Sequence, residues 1–317
     1  MRNLLLIFSI LLSACVEHQF LFTVSPEGNY EVKYKAHGDK NDLTDFDFPL
    51  PKSKEWDIHT TFGDSEAETF DYTANRNFKR NEKFPDTFFE GDSIYMESLI
   101  SHPIRVIHRN WVFIETFSFY AAIEGRGVHS KYPLVNELIQ NSENPPEGWL
   151  KESLYFLLSQ TLSESDVEWN TKPIIRAELK EWVEIDLAAV SDSKIFEDFE
   201  YYKNEGLDII MQPVPPENYD QMDTIFKTLE DELEITLDLI DDQFDFRLVL
   251  PGMLEHSNAD TLSGDTLFWS FNLKNFSDEN FIMEARSSID YPGRQKAGLF
   301  ILFIFIIGLI GFRRKTH

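Results

Sequence analysis

Cysteine is nearly absent from this 317-residue chain; Cys15 is the only one. A single thiol can form no internal disulfide. It leaves the body without a zinc–thiolate cluster or a cysteine nucleophile. Positive charge is also scarce. The chain has 29 Lys and Arg against 55 Asp and Glu, a formal net charge of −26. A body of this balance is repelled by phosphate backbones and by anionic lipid surfaces, which excludes nucleic acid as a partner. The bland meaning of so much negative charge is solubility. There is no phosphate-binding glycine loop, no Gly-x-Ser-x-Gly elbow, and no His-x-His or His-Glu-x-x-His pair. Internal repeats and Gly/Ser linkers are missing too. The pattern therefore assigns no cofactor, no metal ligand and no catalytic residue. Aromatic residues, by contrast, are plentiful. They make up 14% of the chain and include 28 Phe, so the acidic body can still bury a large apolar area.

The two ends carry the strongest signals. Arg2, an apolar run from Leu4 to Leu12 and the small pair Ser13-Ala14 have the layout of a secretory signal. The order Leu12-Ser13-Ala14-Cys15 resembles the lipobox of bacterial lipoproteins. That resemblance implies removal of residues 1–14, lipidation of the Cys15 sulfur and acylation of the new amino terminus, palmitate being the type of chain attached. It also gives the lone thiol a chemical cap in an oxidising compartment. A plain signal peptide is the alternative. At the other end, Ala297 to Phe312 carries no charge and is followed by Arg313-Arg314-Lys315. As a helix this run measures about 24 Å, and snorkelling of Lys296 and Arg313 would extend it toward the ~30 Å of a hydrocarbon core. It is predicted to be a transmembrane helix. The basic cluster would hold the C-terminus in the cytoplasm and leave the body outside. A cleaved sorting signal is the rival reading.

Between the ends, the hydrophobic period changes twice. Residues 15–132 read as a β-rich part. Phe20–Val24 leads through Pro26-Glu-Gly-Asn29 into Tyr30, Val32, Tyr34 and Ala36, which alternate with charged residues. The stretch from Gly38 to Ser65 reads as loop. Ile104–Ile107 and Trp111–Ala121 read as a strand pair, with Trp111, Phe113, Phe117 and Phe119 on one parity and Glu115 interrupting it. Residues 133–243 read as a helical block. Leu150 to Leu162, Ile175 to Val183, Ile195 onward with a stop near Gly206, and Met222 to Ile240 all show helical spacing. Residues 244–293 return to strands at Phe244–Leu250, Leu267–Leu273 and Phe281–Ala285. Residues 294–317 are the membrane helix and its basic tail. The expected fold is α+β. An antiparallel β-sheet from the N- and C-terminal strands carries an inserted helical block, plus the C-terminal transmembrane helix. In such a sheet the two ends of the body lie close together, which suits tethering to one membrane.

Candidate chemistry is thin. Gly91-Asp92-Ser93 and Gly63-Asp64-Ser65 are similar to the block of one serine esterase class, but His256 has no Asp three residues before it. The oxygen-rich run Asp39 to Asp47 lacks the glycine and the closing Glu of an EF-hand loop. The eight histidines are scattered. Leu250-Pro251-Gly252, Asn258-Ala259-Asp260 and Gly264 to Trp269 resemble the C-terminal hairpin of LppM-type bacterial lipoprotein domains. That family also has a lipobox in front and a membrane helix behind. The resemblance implies a β-rich cell-envelope domain with a hydrophobic ligand.

These signals favour a non-enzymatic, membrane-anchored extracytoplasmic lipoprotein. It would act as a binding or scaffold module for an envelope protein or a lipid-like ligand, with the membrane as partner through lipidated Cys15 and the helix Ala297 to Phe312. The alternative is an extracytoplasmic hydrolase with a site assembled from residues distant in sequence.

Overall fold

The computed structural model describes residues 16–39, 50–51, 53–62, 69–85, 104–141 and 145–315. Strands β1 (Glu17–Val24) and β2 (Tyr30–Asp39) pair in antiparallel register, Val24 opposite Tyr30. Their alternation is strict. His18, Phe20, Phe22 and Val24 point inward beside Tyr30, Val32, Tyr34 and Ala36. A period of two with one apolar face is the pattern of a half-buried strand. Beyond β2 lie β3 (Asp57–Phe62) and β4 (Thr69–Phe78). On the other side of β1 lies β7 (Gln243–Val249), followed by β10 (Thr266–Phe271) and β9 (Thr261–Ser263). The seven strands run in the order β3-β4-β2-β1-β7-β10-β9.

A second sheet faces the first. It is built from β5 (Arg105–Asn110), β6 (Ile114–Ile123), β11 (Phe281–Asp290) and β8 (Met253–Ser257), in the order β5-β6-β11-β8. Aromatic rings fill the space between the sheets. Phe20 stacks on Phe246 at 4.2 Å, Phe22 meets the edge of Phe119 at 5.3 Å, and Phe271 packs on Phe281 at 4.3 Å. Pro251 and Gly252 carry the chain from β7 in one sheet to β8 in the other. Ser287 Oγ fastens this corner by donating to the Pro251 carbonyl at 2.7 Å. Trp269 is buried, and its indole N–H donates to Asn258 Oδ1 at 3.0 Å.

The helical block leaves β6 and returns at β7. It comprises α1 (Val128–Lys131), α2 (Pro133–Gln140), α3 (Trp149–Glu164), α4 (Lys172–Glu181), α5 (Asp192–Glu197), α6 (Phe199–Met211) and α7 (Tyr219–Asp238). Arg126, buried at its root, ties it to the sheets. Its guanidinium donates to Thr236 Oγ1 at 2.9 and 3.1 Å and to the Glu232 carbonyl at 3.0 Å, both on α7. Two helices complete the order: the short α8 (Leu273–Phe276) and the C-terminal α9 (Pro292–Lys315).

Four expectations are corrected. The α+β mixture is organised in two sheets, not one, because β5, β6, β8 and β11 pair among themselves and cover the inner face of the larger sheet. That larger sheet is not wholly antiparallel; β1 and β7 run parallel, Glu17 beside Gln243. No helix among the described residues is long and apolar enough to cross a membrane. α9 has 24 residues, but it opens on Pro292-Gly293-Arg294-Gln295-Lys296 and closes on basic residues. The uncharged part is left at about 24 Å against a core of about 30 Å. The transmembrane expectation falls on that count, and the single-pass topology with a cytoplasmic C-terminus falls with it. Finally, the ends of the body lie apart. β1 starts at the helical-block end, beside Gln243. α9 starts at the other end, beside the β5–β6 hairpin, where the Tyr291 N–H donates to the Phe113 carbonyl at 3.0 Å.

Candidate functional site

Cys15, the proposed lipid site, lies outside the described residues. So do both Gly-Asp-Ser blocks, most of the Asp39–Asp47 run, His102 and His317. The residue after Cys15 is in place. Val16 is 2% exposed, and its carbonyl accepts from the Gln243 N–H at 3.0 Å. Of the remaining histidines, His37, His59, His129 and His256 are exposed, whereas His18 and His108 are buried. Among the described residues no three His, Cys, Asp or Glu side chains gather as metal ligands would.

His18 sits between two sheet neighbours. Its Nδ1 lies 2.7 Å from Tyr34 Oη and its Nε2 lies 3.3 Å from Asp242 Oδ2, while its ring stacks on Phe244 at 4.9 Å. Burial pulls its pKa down to about 3, so the ring is neutral at ordinary pH. A neutral imidazole has one donor nitrogen. The carboxylate can only accept, so Nε2–H donates to Asp242 and Nδ1 accepts from the Tyr34 hydroxyl. The chain Tyr34–His18–Asp242 joins β2, β1 and the start of β7.

His108, at the other end of the sandwich, is paired differently. Its Nε2 meets Glu115 Oε2 at 2.9 Å, Asn110 Nδ2 donates to Glu115 Oε1 at 2.8 Å, and Arg294 approaches the same oxygen at 4.0 Å. Its ring stacks on Phe117 at 4.4 Å. Asn81 clamps its backbone, accepting from the His108 N–H at 2.8 Å. The Nδ1 atom faces Gly28, where a β-carbon would come to 2.2 Å, and finds no hydrogen-bond partner among the described residues. This is a histidine–carboxylate pair, and no Ser, Thr or Cys among the described residues bonds to it. Glu115, which breaks the apolar parity of β6 in the sequence, is thus the buried partner of a histidine seven residues earlier. Nothing in the local pattern marks that pairing.

Neither a protein-family model nor a curated protein matches the chain. Among solved structures, the chain is similar to the NMR structure of the folded domain of the Mycobacterium tuberculosis LppM protein. The identity is 8% and the TM-score 0.34, over 89% of this chain and 94% of that one. A likeness of that size carries no argument about role.

Among the described residues, two surfaces stand out. On the helical block, Trp182, Ile185 and Ile209 line a shallow groove of about 240 Å³ rimmed by Glu178, Glu181 and Asp186. At the α9 end, Trp111, Val112 and Phe113 form the tip of the β5–β6 hairpin, exposed by 59, 71 and 41%. Trp111 to Phe113 fall in the span expected as strand, but β6 starts only at Ile114. The chain turns before the alternation can act, with the Trp111 N–H donating to the Ile114 carbonyl at 2.8 Å.

Proposed function

We propose that this chain is an extracytoplasmic lipoprotein whose body serves as a binding or scaffold module for an envelope protein or a lipid-like ligand. Residues 1–14 are removed and Cys15 carries the lipid. The observation that supports this reading most is the placement of the residue after Cys15. Val16 is already core and hydrogen-bonded to Gln243, and β1 starts at the next residue. A lipid on Cys15 would hold the body directly, without a linker, at the end where the helical block lies. The block's acidic, apolar-floored groove is the face it would offer to a partner.

Mass spectrometry of the mature protein tests this. The expected result is an N-terminal Cys15 carrying a diacylglyceryl group, with an added acyl chain on the amine where the host supplies one. An unmodified cysteine, or cleavage at another bond, overturns the lipoprotein reading.

A further inference from the structure

We propose that the β5–β6 hairpin tip, Trp111-Val112-Phe113, is a lipid-surface contact that enters the outer part of a bilayer together with the first turns of α9. The proposal deepens the lipoprotein reading, but it does not require acylation of Cys15.

Three observations carry it. A three-residue hairpin loop ordinarily takes small or polar residues that suit the turn. Here it holds three large apolar ones, all exposed. The strands beneath the tip are tied to each other, because His108 and Asn110 on one strand both bond to Glu115 on the other. The tip projects from the end of that paired ladder. Lastly, the tip adjoins a larger apolar surface. A β-carbon on Gly298 would stand 2.6 Å from Phe113 Cζ, so α9 passes directly by the Phe113 ring. Beyond it, Leu299 to Ile307 are all apolar and 46 to 68% exposed.

The shape of that surface selects the occupant. A protein groove covers one stripe of a helix, but α9 is apolar on every face over this stretch, which a fluid hydrocarbon phase covers completely. Indole and phenyl rings at the base of such a helix sit at the boundary between hydrocarbon and headgroups. Arg109, Arg294 and Lys296, all exposed at the same end, can meet lipid phosphates. Glu27 and Asp290 are exposed there as well and the chain as a whole is acidic, so the match is to a surface in which zwitterionic lipid outweighs anionic. The stretch Ala297–Ile307 is about 16 Å long as a helix, enough to enter one leaflet.

The test uses the full chain with Cys15→Ser, so that no lipid anchor contributes. It is purified in detergent and mixed with phosphatidylethanolamine–phosphatidylglycerol vesicles whose acyl chains are brominated. Bromine quenches the fluorescence of tryptophan that reaches the acyl region. The parent should bind and show a quenched component. Trp111→Leu should still bind but lose that component. Val112→Asp should bind at least tenfold more weakly with an unchanged circular dichroism spectrum. Quenching that survives Trp111→Leu, or undiminished binding by Val112→Asp, overturns the proposal. It is overturned too if Val112→Asp abolishes self-association in detergent while vesicle binding stays intact; the tip would then belong to a second copy. Failure of Cys15 acylation shows separately, in the mass of the wild-type chain.

Discussion

At the scale of single residues, His18 ties the protein's stability to pH. Its folded pKa, about 3, lies below the ~6.5 of an unfolded histidine, so between these values the unfolded chain binds the extra proton. The stabilisation from keeping this ring neutral is complete above pH ~6.5 and is lost as pH falls toward 3, by up to roughly 1.4 kcal/mol per pH unit. The thermal midpoint should therefore drop on acidification. His18→Gln keeps a donor and an acceptor near Tyr34 and Asp242 but does not titrate, so it should flatten that drop. Parallel melts of parent and variant at pH 7, 5.5 and 4.5 check this, and equal slopes would assign the acid response to other groups. None of this was visible in the sequence. His18 is polar on a strand position that pattern alone would give to an apolar side chain, and its partner Asp242 is 224 residues away.

At the scale of elements, patterning read best where one rule acted alone. The alternation in β1, β2, β7 and β10, and the leucine spacing of α3, need only a buried face, and these segments form where the period places them. β3 overturns part of the loop expected from Gly38 to Ser65, and β4 shows no clear alternation, because Asn, Asp, Thr and Arg occupy most of their positions. Only Phe70, Tyr72, Ala74 and Phe78 mark the buried or half-buried side of β4. Gly206 misled in the other direction. Read as a helix stop, it lies inside α6, at the point where that helix approaches α3 so closely that a β-carbon would be 2.3 Å from Leu158 Cδ1. Gly206→Ala gains about 1 kcal/mol of helix propensity and loses about 1–3 kcal/mol to overpacking against fully buried Leu158. The net effect should be destabilising by about 1 kcal/mol, seen as a lower urea midpoint at an unchanged slope. Adding Leu158→Val should recover part of it. A more stable Gly206→Ala chain would show that the helices can move apart freely.

At the scale of the whole molecule, the position of the two attachment points decides how the body meets lipid. Val16 lies just ahead of β1, at the helical-block end. The turn after Val24 reaches the other end, where Gly28 touches His108 under the hairpin tip. The eight residues of β1 separate the two by about 26 Å. With no linker behind Cys15, an upright body would present its lipid at one surface and Trp111-Val112-Phe113 at another, facing away. The acylated protein reconstituted in one vesicle population should then hold a second, protein-free population beside it. Energy transfer between dyes in the two bilayers would report the contact. The signal should disappear in Val112→Asp, which keeps the lipid, and in Cys15→Ser, which keeps the tip, because bridging needs both. If neither substitution changes the transfer, or if the wild-type chain gives none while binding its own vesicles through the tip, the body lies flat on a single membrane. The separation along β1 would then be a distance along the surface and not across a gap.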